Sequence, residues 1–324
     1  MSRAVLRCVT LPILFGLASA PLAQAADPQT LLTRMQQAAG KLNYDGIFVY
    51  QHGDQLESLR IIHKISDGIM RERLISLNGA SREISRTGNE VRCYLPDENA
   101  VMIEHRRADS RNFPALLPDS LSVLKKNYEI SVGGNGRVAG RIALAAQINP
   151  RDAYRYGYRL WADKATGLLL KASLIDGDGD VIEQYMFTQI SIGKDIPESD
   201  LSARHLAKAI AAPRPNDVPP QAPSKNWGAS QLPAGYTLSA RMQRKLPARR
   251  QPVEHLVYTD GLAVVSVFIE PVNDATAALS GLTHMGAVHA FGKVLDGHQI
   301  TVLGEAPAKT VDMIGASVAP LPHE

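Results

Sequence analysis

The chain has 324 residues, 45% of them apolar, with 35 basic and 32 acidic side chains and a formal net charge of +3 at pH 7. A chain of this length can bury a large core and predicts two domains. A charge so close to zero provides no general attraction to nucleic acid, so no nucleic-acid partner is expected.

The first 25 residues predict a secretory signal peptide. Arg3 and Arg7 give it a positive start, residues 9–20 are apolar, and residues 23–25 form a small-residue cleavage site. The apolar stretch is too short to span a bilayer once its charged flanks are excluded. We therefore expect residues 1–25 to be removed and the mature protein to be exported and soluble.

Cleavage of the signal peptide also changes the cysteine content. It removes Cys8 and leaves Cys93 as the only cysteine of the mature chain. Because a single cysteine cannot form an internal disulfide, the export does not indicate a small fold held together by disulfides.

A helix and a long series of strands are predicted next. Asp27 and Pro28 suit the N-cap and the first position of a helix that continues to Leu42. Residues 43–106 alternate β-branched or aromatic segments with polar turns about every ten residues, which is the spacing of an antiparallel meander. A second helix is predicted at about 119–127. Four further strands follow at 137–148, 155–163, 168–176 and 181–190.

Two glycine-rich stretches are predicted to be turns. Residues 132–140 (VGGNGRVAG) resemble a nucleotide-binding loop only superficially, because a strand and not a helix follows them. A calcium loop that begins at Asp176, in the run DGDGD, needs a Gly and a Glu where Val181 and Phe187 stand. Asp-Gly pairs between β-branched segments are typical of a hairpin, so a hairpin turn is predicted there.

The predicted elements indicate an α+β fold in two units. An antiparallel sheet with so many strands must curl or close, and we expect helices to lie across one of its faces. Residues 210–225 contain five prolines and predict an extended linker between a large unit, 27–209, and a small unit, 226–324. The small unit predicts an antiparallel sheet and a last helix from about Pro307.

The search for catalytic chemistry predicts that the chain is not an enzyme. It contains no Gly-x-Ser-x-Gly elbow, phosphate-binding glycine loop or His-Glu-x-x-His pattern. His284, His289 and His298 lie close together in the sequence, but His284 and His289 are spaced for one face of neither a strand nor a helix. We therefore expect no catalytic residue, no metal and no cofactor.

The later strands contain the candidates for a ligand-binding groove. Six apolar residues could line the concave face of a curled sheet, namely Leu160, Leu168, Leu170, Leu174, Met186 and Ile190. They form either a covered core or an open groove for acyl chains or an apolar peptide. Both alternatives stay open at the level of sequence, because a register shift of one residue exchanges the two faces.

Several segments taken together resemble the MucB/RseB family. They include NYDGIFVYQHGDQLESLRIIHK and PRDAYRYGYRLWADKATGLLLKASL in the large unit, and HLVYTDGLAVVSVFIE and ITVLGEAPAKTV in the small unit. The resemblance covers essentially all of the mature chain, in order. It implies that the large unit is an unclosed antiparallel β-barrel with helices across its opening, similar to the lipoprotein carriers of the LolA type.

The resemblance also implies a function. Members of the family are periplasmic negative regulators of the envelope-stress sigma factor. They bind the periplasmic segment of a membrane-spanning anti-sigma factor of the RseA/MucA type and shield it from the site-1 protease. Lipopolysaccharide or lipoprotein acyl chains cause the bound segment to dissociate. The alternative is a periplasmic lipid carrier of the LolA type, although a carrier needs no second domain.

In the family, much of the contact with the anti-sigma factor belongs to the small domain. The candidate partner-binding residues are therefore Tyr258, Asp260 and Phe268, together with Arg249 and Arg250 in the basic run at 245–250. The sequence does not fix the oligomeric state and is compatible with a homo-oligomer.

Overall fold

The structure is a computed structural model, and it describes residues 27–98, 100–105, 112–202, 210–211, 227–244, 252–272 and 279–321. The predicted signal peptide, Arg249 and Arg250, and all but the first two residues of the predicted linker lie outside these ranges. None of the helices in the described part of the chain has the length and apolar character needed to cross a bilayer.

One large sheet organises the first part of the chain. Its strands are β1 (Tyr44–His52), β2 (Gln55–Ser66), β3 (Ile69–Ser76), β4 (Glu83–Thr87), β5 (Glu90–Leu95), β6 (Ala100–His105), β7 (Tyr128–Val138), β8 (Arg141–Pro150), β9 (Gly157–Asp163), β10 (Leu169–Ile175), β11 (Val181–Ile192) and β12 (Ile210–Ala211). The order across the sheet is β12-β6-β5-β4-β3-β2-β1-β11-β10-β9-β8-β7, and every pair is antiparallel except β12 with β6. Among the residues that the structure describes, β12 and β7 are the two edge strands and do not pair with each other, which confirms the prediction of an unclosed antiparallel sheet.

Helix α1 (Pro28–Lys41) begins where the sequence predicts. The Asp27 carboxylate accepts a hydrogen bond of 2.8 Å from the Thr30 backbone N–H, as an N-cap residue does. Leu31, Leu32 and Met35 on one face of α1 are buried in the core of the large sheet. The second predicted helix is a 3₁₀ turn (Leu121–Val123) that continues into the short helix α2 (Leu124–Asn127). A further short helix, α3 (Glu198–Leu201), follows the strand that ends at Ile192.

The glycine-rich stretch at 132–140 corrects one prediction, because most of it is strand and not turn. Strand β7 continues through it with a bulge between Val132 and Asn135, and the chain reverses only at Ala139 and Gly140. A Cβ atom on Gly133 would lie 2.9 Å from the Cβ atom of Ala145 on the neighbouring strand β8. Glycine is therefore needed here for the close approach of two strands.

The DGDGD run is the turn of a β-hairpin, as predicted. Strands β10 and β11 pair antiparallel on either side of it. The Asp176 carboxylate accepts hydrogen bonds from the backbone N–H groups of Asp178 (3.0 Å) and Asp180 (2.9 Å). Within the described ranges, no cluster of three His, Cys, Asp or Glu side chains has the arrangement of a metal site.

The last part of the chain forms a second, smaller antiparallel sheet. Its elements are β13 (Trp227–Ala229), β14 (Thr237–Arg244), β15 (Val253–Thr259), β16 (Val264–Pro271), β17 (Gly281–Met285), β18 (Val288–Leu295), β19 (His298–Glu305), α4 (Ala308–Ser317) and β20 (Val318–Pro320). The sheet order is β14-β15-β16-β19-β18-β17, and β13 pairs separately with β20. Val311 and Ile314 of α4 are buried in the core of this sheet, which confirms the predicted small sheet and last helix. We call described residues 27–211 the large unit and 227–321 the small unit.

Candidate functional site

The candidate site is a cavity of about 620 Å³ that both units line. The large unit contributes Phe48, Tyr50, Glu57, Leu59, Leu74, Arg82, Ile84, Arg86, Asn112, Phe113, Leu116, Tyr158, Ala172, Leu174 and Tyr185, and the small unit contributes Leu262, Ala263, Val264 and Glu305. The cavity lies on the face of the large sheet that also holds the core, because Phe48, Leu59 and Ala172 belong to both. Its volume falls in the range of roughly 300–1,000 Å³ that is typical of small-ligand sites.

Four aromatic rings form the main apolar wall of the cavity. The rings of Tyr50 and Tyr185 stack with centroids 4.6 Å apart, and Phe113 stacks on Tyr185 at 5.5 Å. Phe48 packs against Phe113 at 5.2 Å. Burial raises the pKa of Tyr50 and of Tyr185 far above the usual value, so both phenols stay neutral. The wall therefore presents flat apolar surfaces with uncharged hydroxyl groups.

Charged side chains also line the cavity. Arg82 forms a half-exposed ion pair with Glu57 at 3.5 Å, an arrangement that contributes little to stability. Arg86 pairs with the carboxylate of Glu72, which is largely buried. The site therefore combines an apolar wall with charged groups of both signs, namely Arg82 and Arg86 and the carboxylates of Glu57 and Glu305, and such a combination suits an amphipathic molecule.

Glu305 is the charged residue that the small unit contributes to the cavity. Glu305 is an exposed residue at the edge of the cavity, but much of the surrounding space is protein and not water. This desolvation, and after it the negative charge of Glu183 in the large unit, raise the pKa of Glu305 to about 7.

The wall from the small unit is a turn that Asp260 shapes. One carboxylate oxygen of Asp260 accepts hydrogen bonds from the backbone N–H groups of Leu262 (2.9 Å) and Ala263 (2.8 Å). The other oxygen accepts from the Tyr128 hydroxyl (2.8 Å) and from Nε of Arg155 (2.7 Å), which both belong to the large unit. A single carboxylate thus contacts both units at the edge of the cavity.

A loop of the large unit, residues 152–156, makes further contacts with the small unit. The Tyr154 carbonyl accepts hydrogen bonds from the hydroxyl groups of Thr310 (2.7 Å) and Tyr236 (3.3 Å). Tyr156 is buried in a small apolar cluster with Leu174 and Ala287. The described residues therefore bring the two units together through specific polar and apolar contacts.

The six residues predicted to bind lipid have different positions. Leu160, Leu168 and Leu170 are fully buried in the core with α1, and Leu174 is the one of the six that lines the cavity. Met186 lies on the opposite face of β11 from its neighbour Tyr185, and Ile190 is half-buried outside the cavity. Lipid binding by these residues stays a prediction, which the cavity supports for Leu174.

The described partner-binding candidates are mostly internal. Tyr258 and Asp260 are 3% and 4% exposed, and the Tyr258 hydroxyl accepts a hydrogen bond from the Ala229 N–H. Phe268 is half-buried and stacks on His255 with ring centroids 4.3 Å apart. Direct contact of Asp260 with a partner therefore requires the units to separate, whereas Tyr258 is buried in the core of the small unit itself. The role of both residues stays a prediction.

Sequence reasoning missed the aromatic wall and Arg155. A signal for the wall was present, because Phe48 and Tyr50 are two residues apart on one predicted strand and Tyr185 and Phe187 on another. This spacing places each pair on one face of its strand. No local pattern marks Arg155, whose partner Asp260 is 105 positions away.

Comparisons with family models and with known proteins indicate the same family. A family model for the MucB/RseB N-terminal domain matches residues 27–205, and one for the MucB/RseB C-terminal domain matches residues 221–319. The chain is 33% identical to the sigma factor AlgU regulatory protein MucB of Pseudomonas aeruginosa over 97% of its own length and 98% of the relative's. It is 30% identical to the sigma-E factor regulatory protein RseB of Escherichia coli K12 over 89% of both chains.

Solved structures agree with this result. The structure of the Pseudomonas aeruginosa MucA/MucB complex includes a chain that superimposes with a TM-score of 0.72 at 32% identity, covering 92% of this chain and 100% of that one. A crystal structure of MucB in complex with MucA(peri) gives a TM-score of 0.71 at 30% identity with the same coverage. This chain therefore belongs to the MucB/RseB family.

Proposed function

We propose that this protein is a periplasmic regulator that binds the periplasmic segment of a membrane-spanning anti-sigma factor. While bound, it shields that segment from the first protease of the stress response. An acyl chain that enters the cavity lowers the affinity for the segment and so releases it. The protein acts by binding and not as an enzyme.

The cavity between the two units is the observation that carries this proposal. Its apolar wall belongs to the large unit, whereas Leu262, Ala263, Val264 and Glu305 belong to the small unit. A molecule that fills the cavity therefore touches both units. A ligand shifts an equilibrium between two arrangements only if it interacts differently with them, and a site shared by two units meets this condition.

The relatives support the binding partner. The similar proteins of Pseudomonas aeruginosa and Escherichia coli K12 are named as sigma factor regulatory proteins, and solved structures contain MucB together with MucA. Their similarity extends over both units of this chain, so we transfer the type of partner as part of the proposal. The predicted signal peptide at 1–25 supports export to the periplasm.

The chemistry of the cavity supports an acyl chain as the releasing ligand. Stacked rings at Tyr50, Phe113 and Tyr185 offer a flat apolar surface, and burial of each methylene group contributes about 0.8 kcal/mol. Arg82 and Arg86 can pair with the phosphate or carboxylate of a lipid head. We further propose that the predicted linker at 210–225, apart from the two residues that form β12, lets the two units change their arrangement.

A protease-protection assay tests this proposal. The periplasmic domain of the anti-sigma factor encoded in the same genome is incubated with its site-1 protease, and the rate of cleavage is measured. The mature protein should slow cleavage, and lipopolysaccharide should restore the rate. Cleavage at the same rate with and without the protein would contradict the proposal.

A lipid carrier is the second candidate, because an apolar cavity of about 620 Å³ can hold an acyl chain during transport. A carrier must hand its cargo to an acceptor, whereas a regulator only responds to it. Transfer of an acylated protein to an acceptor membrane protein, without protection of any anti-sigma factor, would favour the carrier.

A further inference from the structure

We propose that Asp260 and Arg155 form a joint that couples the small-unit wall of the cavity to the docking of the two units. This inference rests on the function proposed above, since it names the residues through which an acyl chain changes the arrangement of the units. It also gives Asp260 a role inside the molecule and not as a surface contact.

The two carboxylate oxygens of Asp260 accept hydrogen bonds from different units. One oxygen accepts from the backbone N–H groups of Leu262 and Ala263, in the turn that forms the cavity wall. The other oxygen accepts from Tyr128 and Arg155 of the large unit. Because a carboxylate is rigid and planar, the wall cannot swing away from the cavity without drawing the second oxygen away from Arg155.

Such a movement affects all the contacts of the Arg155 side chain together. Its side chain is 0% exposed, and besides Asp260 its guanidinium donates to Asp152 and to the carbonyl of Ala234 in the small unit. The guanidinium also lies 5.2 Å from the ring centroid of Tyr236. A guanidinium presents its donors in one rigid fork, so loss of the Asp260 contact also disturbs the contact with Ala234.

Because its charged groups are buried, the joint favours one of two arrangements of the units, docked or separated. In the docked arrangement both charged side chains are removed from water, and their mutual attraction offsets a large desolvation cost. When the units separate, water can hydrate every one of these groups, so the separated arrangement is not strongly disfavoured. Removing one partner from the docked arrangement instead leaves an uncompensated buried charge. A single substitution should therefore favour separation.

The length of the ligand determines whether the joint opens. The cavity has a volume of about 620 Å³ and is bounded on one side by the turn at 262–264. A short acyl chain can bind on the aromatic wall of the large unit alone, whereas a longer chain also reaches this turn and displaces it. The joint therefore makes the protein selective for long acyl chains as releasing ligands.

Asp260→Asn is the informative variant. The asparagine keeps one carbonyl oxygen for the turn at Leu262 and Ala263, but it turns an NH₂ group toward Arg155 and Tyr128, which are themselves donors. The mature protein and the variant are titrated with octanoyl and hexadecanoyl probes that carry the same fluorescent head. We expect the variant to bind the hexadecanoyl probe about tenfold more tightly and the octanoyl probe unchanged.

Hydrogen–deuterium exchange provides a second measurement that needs no ligand. If the joint couples the two sides, Asp260→Asn should raise the exchange rate at 262–263 and at 154–156 together. Asp45→Asn is the matched control, because it breaks a half-exposed ion pair with Arg60 that does not line the cavity. Tyr128→Phe removes only one hydrogen bond to Asp260 and should shift both measurements in the same direction by less.

The outcomes separate this inference from the proposed function. Equal tightening of both probes, or faster exchange in only one of the two segments, would overturn the joint. If the wild-type protein binds neither probe, the proposed lipid site is wrong. The coupled exchange of 262–263 and 154–156 would then still support or refute the joint.

Discussion

Placing a carboxylate in the apolar wall of the cavity should weaken lipid binding without unfolding the protein. Leu74 on β3 is half-buried and lines the cavity between Ile61 and Ile84 of the neighbouring strands. From the sequence alone, Leu170 is an equally suitable position for such a substitution. In the structure, however, Leu170 is 0% exposed in the core, where a charge would destabilise the fold itself. Leu74→Asp is therefore the more informative change.

The magnitude follows from the apolar area that the ligand loses. A hydrated carboxylate at position 74 keeps two or three methylene groups of an acyl chain away from the wall. At about 0.8 kcal/mol for each methylene, the loss is about 2 kcal/mol. This corresponds to a roughly 30-fold weaker affinity.

Titration with a fluorescent hexadecanoyl probe measures this loss. Ile75→Asp is the matched control, because Ile75 is the next residue on the same strand, is also half-buried, and faces away from the cavity. The control should bind the probe as the wild type does. If Leu74→Asp retains its fold and binds the probe with wild-type affinity, the cavity is not the lipid site.

Three further predictions concern stability. Arg155→Met leaves Asp260 buried without its cationic partner in the docked arrangement and should lower the free energy of unfolding, and with it the urea midpoint, by less than the about 3–5 kcal/mol of a broken buried pair, because separation of the units hydrates Asp260; an unchanged midpoint would contradict the buried ion pair. The pKa of Glu305 is about 7 in the folded protein against 4.5 for the free side chain, so the folded state binds this proton more tightly than the unfolded state. The resulting stabilisation is fully present below pH 4.5 and is lost as the pH rises through 7. The wild type should thus resist urea better at pH 5 than at pH 8, and Glu305→Gln should reduce this difference; an identical pH dependence in the variant would refute the assignment. Asp176→Ala removes two turn hydrogen bonds and should lower the free energy of unfolding by about 1–2 kcal/mol, and calcium should stabilise neither form in thermal melts.

The elements that could be predicted from the sequence are those with local causes. Asp27 and Pro28 fix the start of α1 through an N-cap bond and a suitable φ angle, and both signals lie within four residues of each other. The Asp-Gly turn after β10 is equally local. The sheet order follows from consecutive antiparallel strands, except where β1 pairs with the distant strand β11 and where β12 pairs in parallel with β6.

What could not be predicted depends on contacts between distant parts of the chain. The glycines at 133 and 134 belong to a bulged strand because Ala145 of β8 lies against Gly133, and no neighbour in the sequence indicates this. Strict alternation would place Leu170 and Leu174 on one face of β10, but the pairing of β10 with β9 is irregular between Leu169 and Lys171. The sequence could show neither this bulge nor that the core with α1 covers Leu170 while Leu174 borders the cavity.

The central claim is that lipid binding lowers the affinity of this protein for the anti-sigma factor, and that binding of the anti-sigma factor lowers its affinity for lipid. Fluorescence anisotropy of a labelled periplasmic segment of the anti-sigma factor, titrated with the mature protein, tests it directly in the presence and absence of saturating lipopolysaccharide. The account predicts binding that lipid weakens by about 5- to 150-fold. An affinity that lipid does not change, or no binding in either condition, would contradict it.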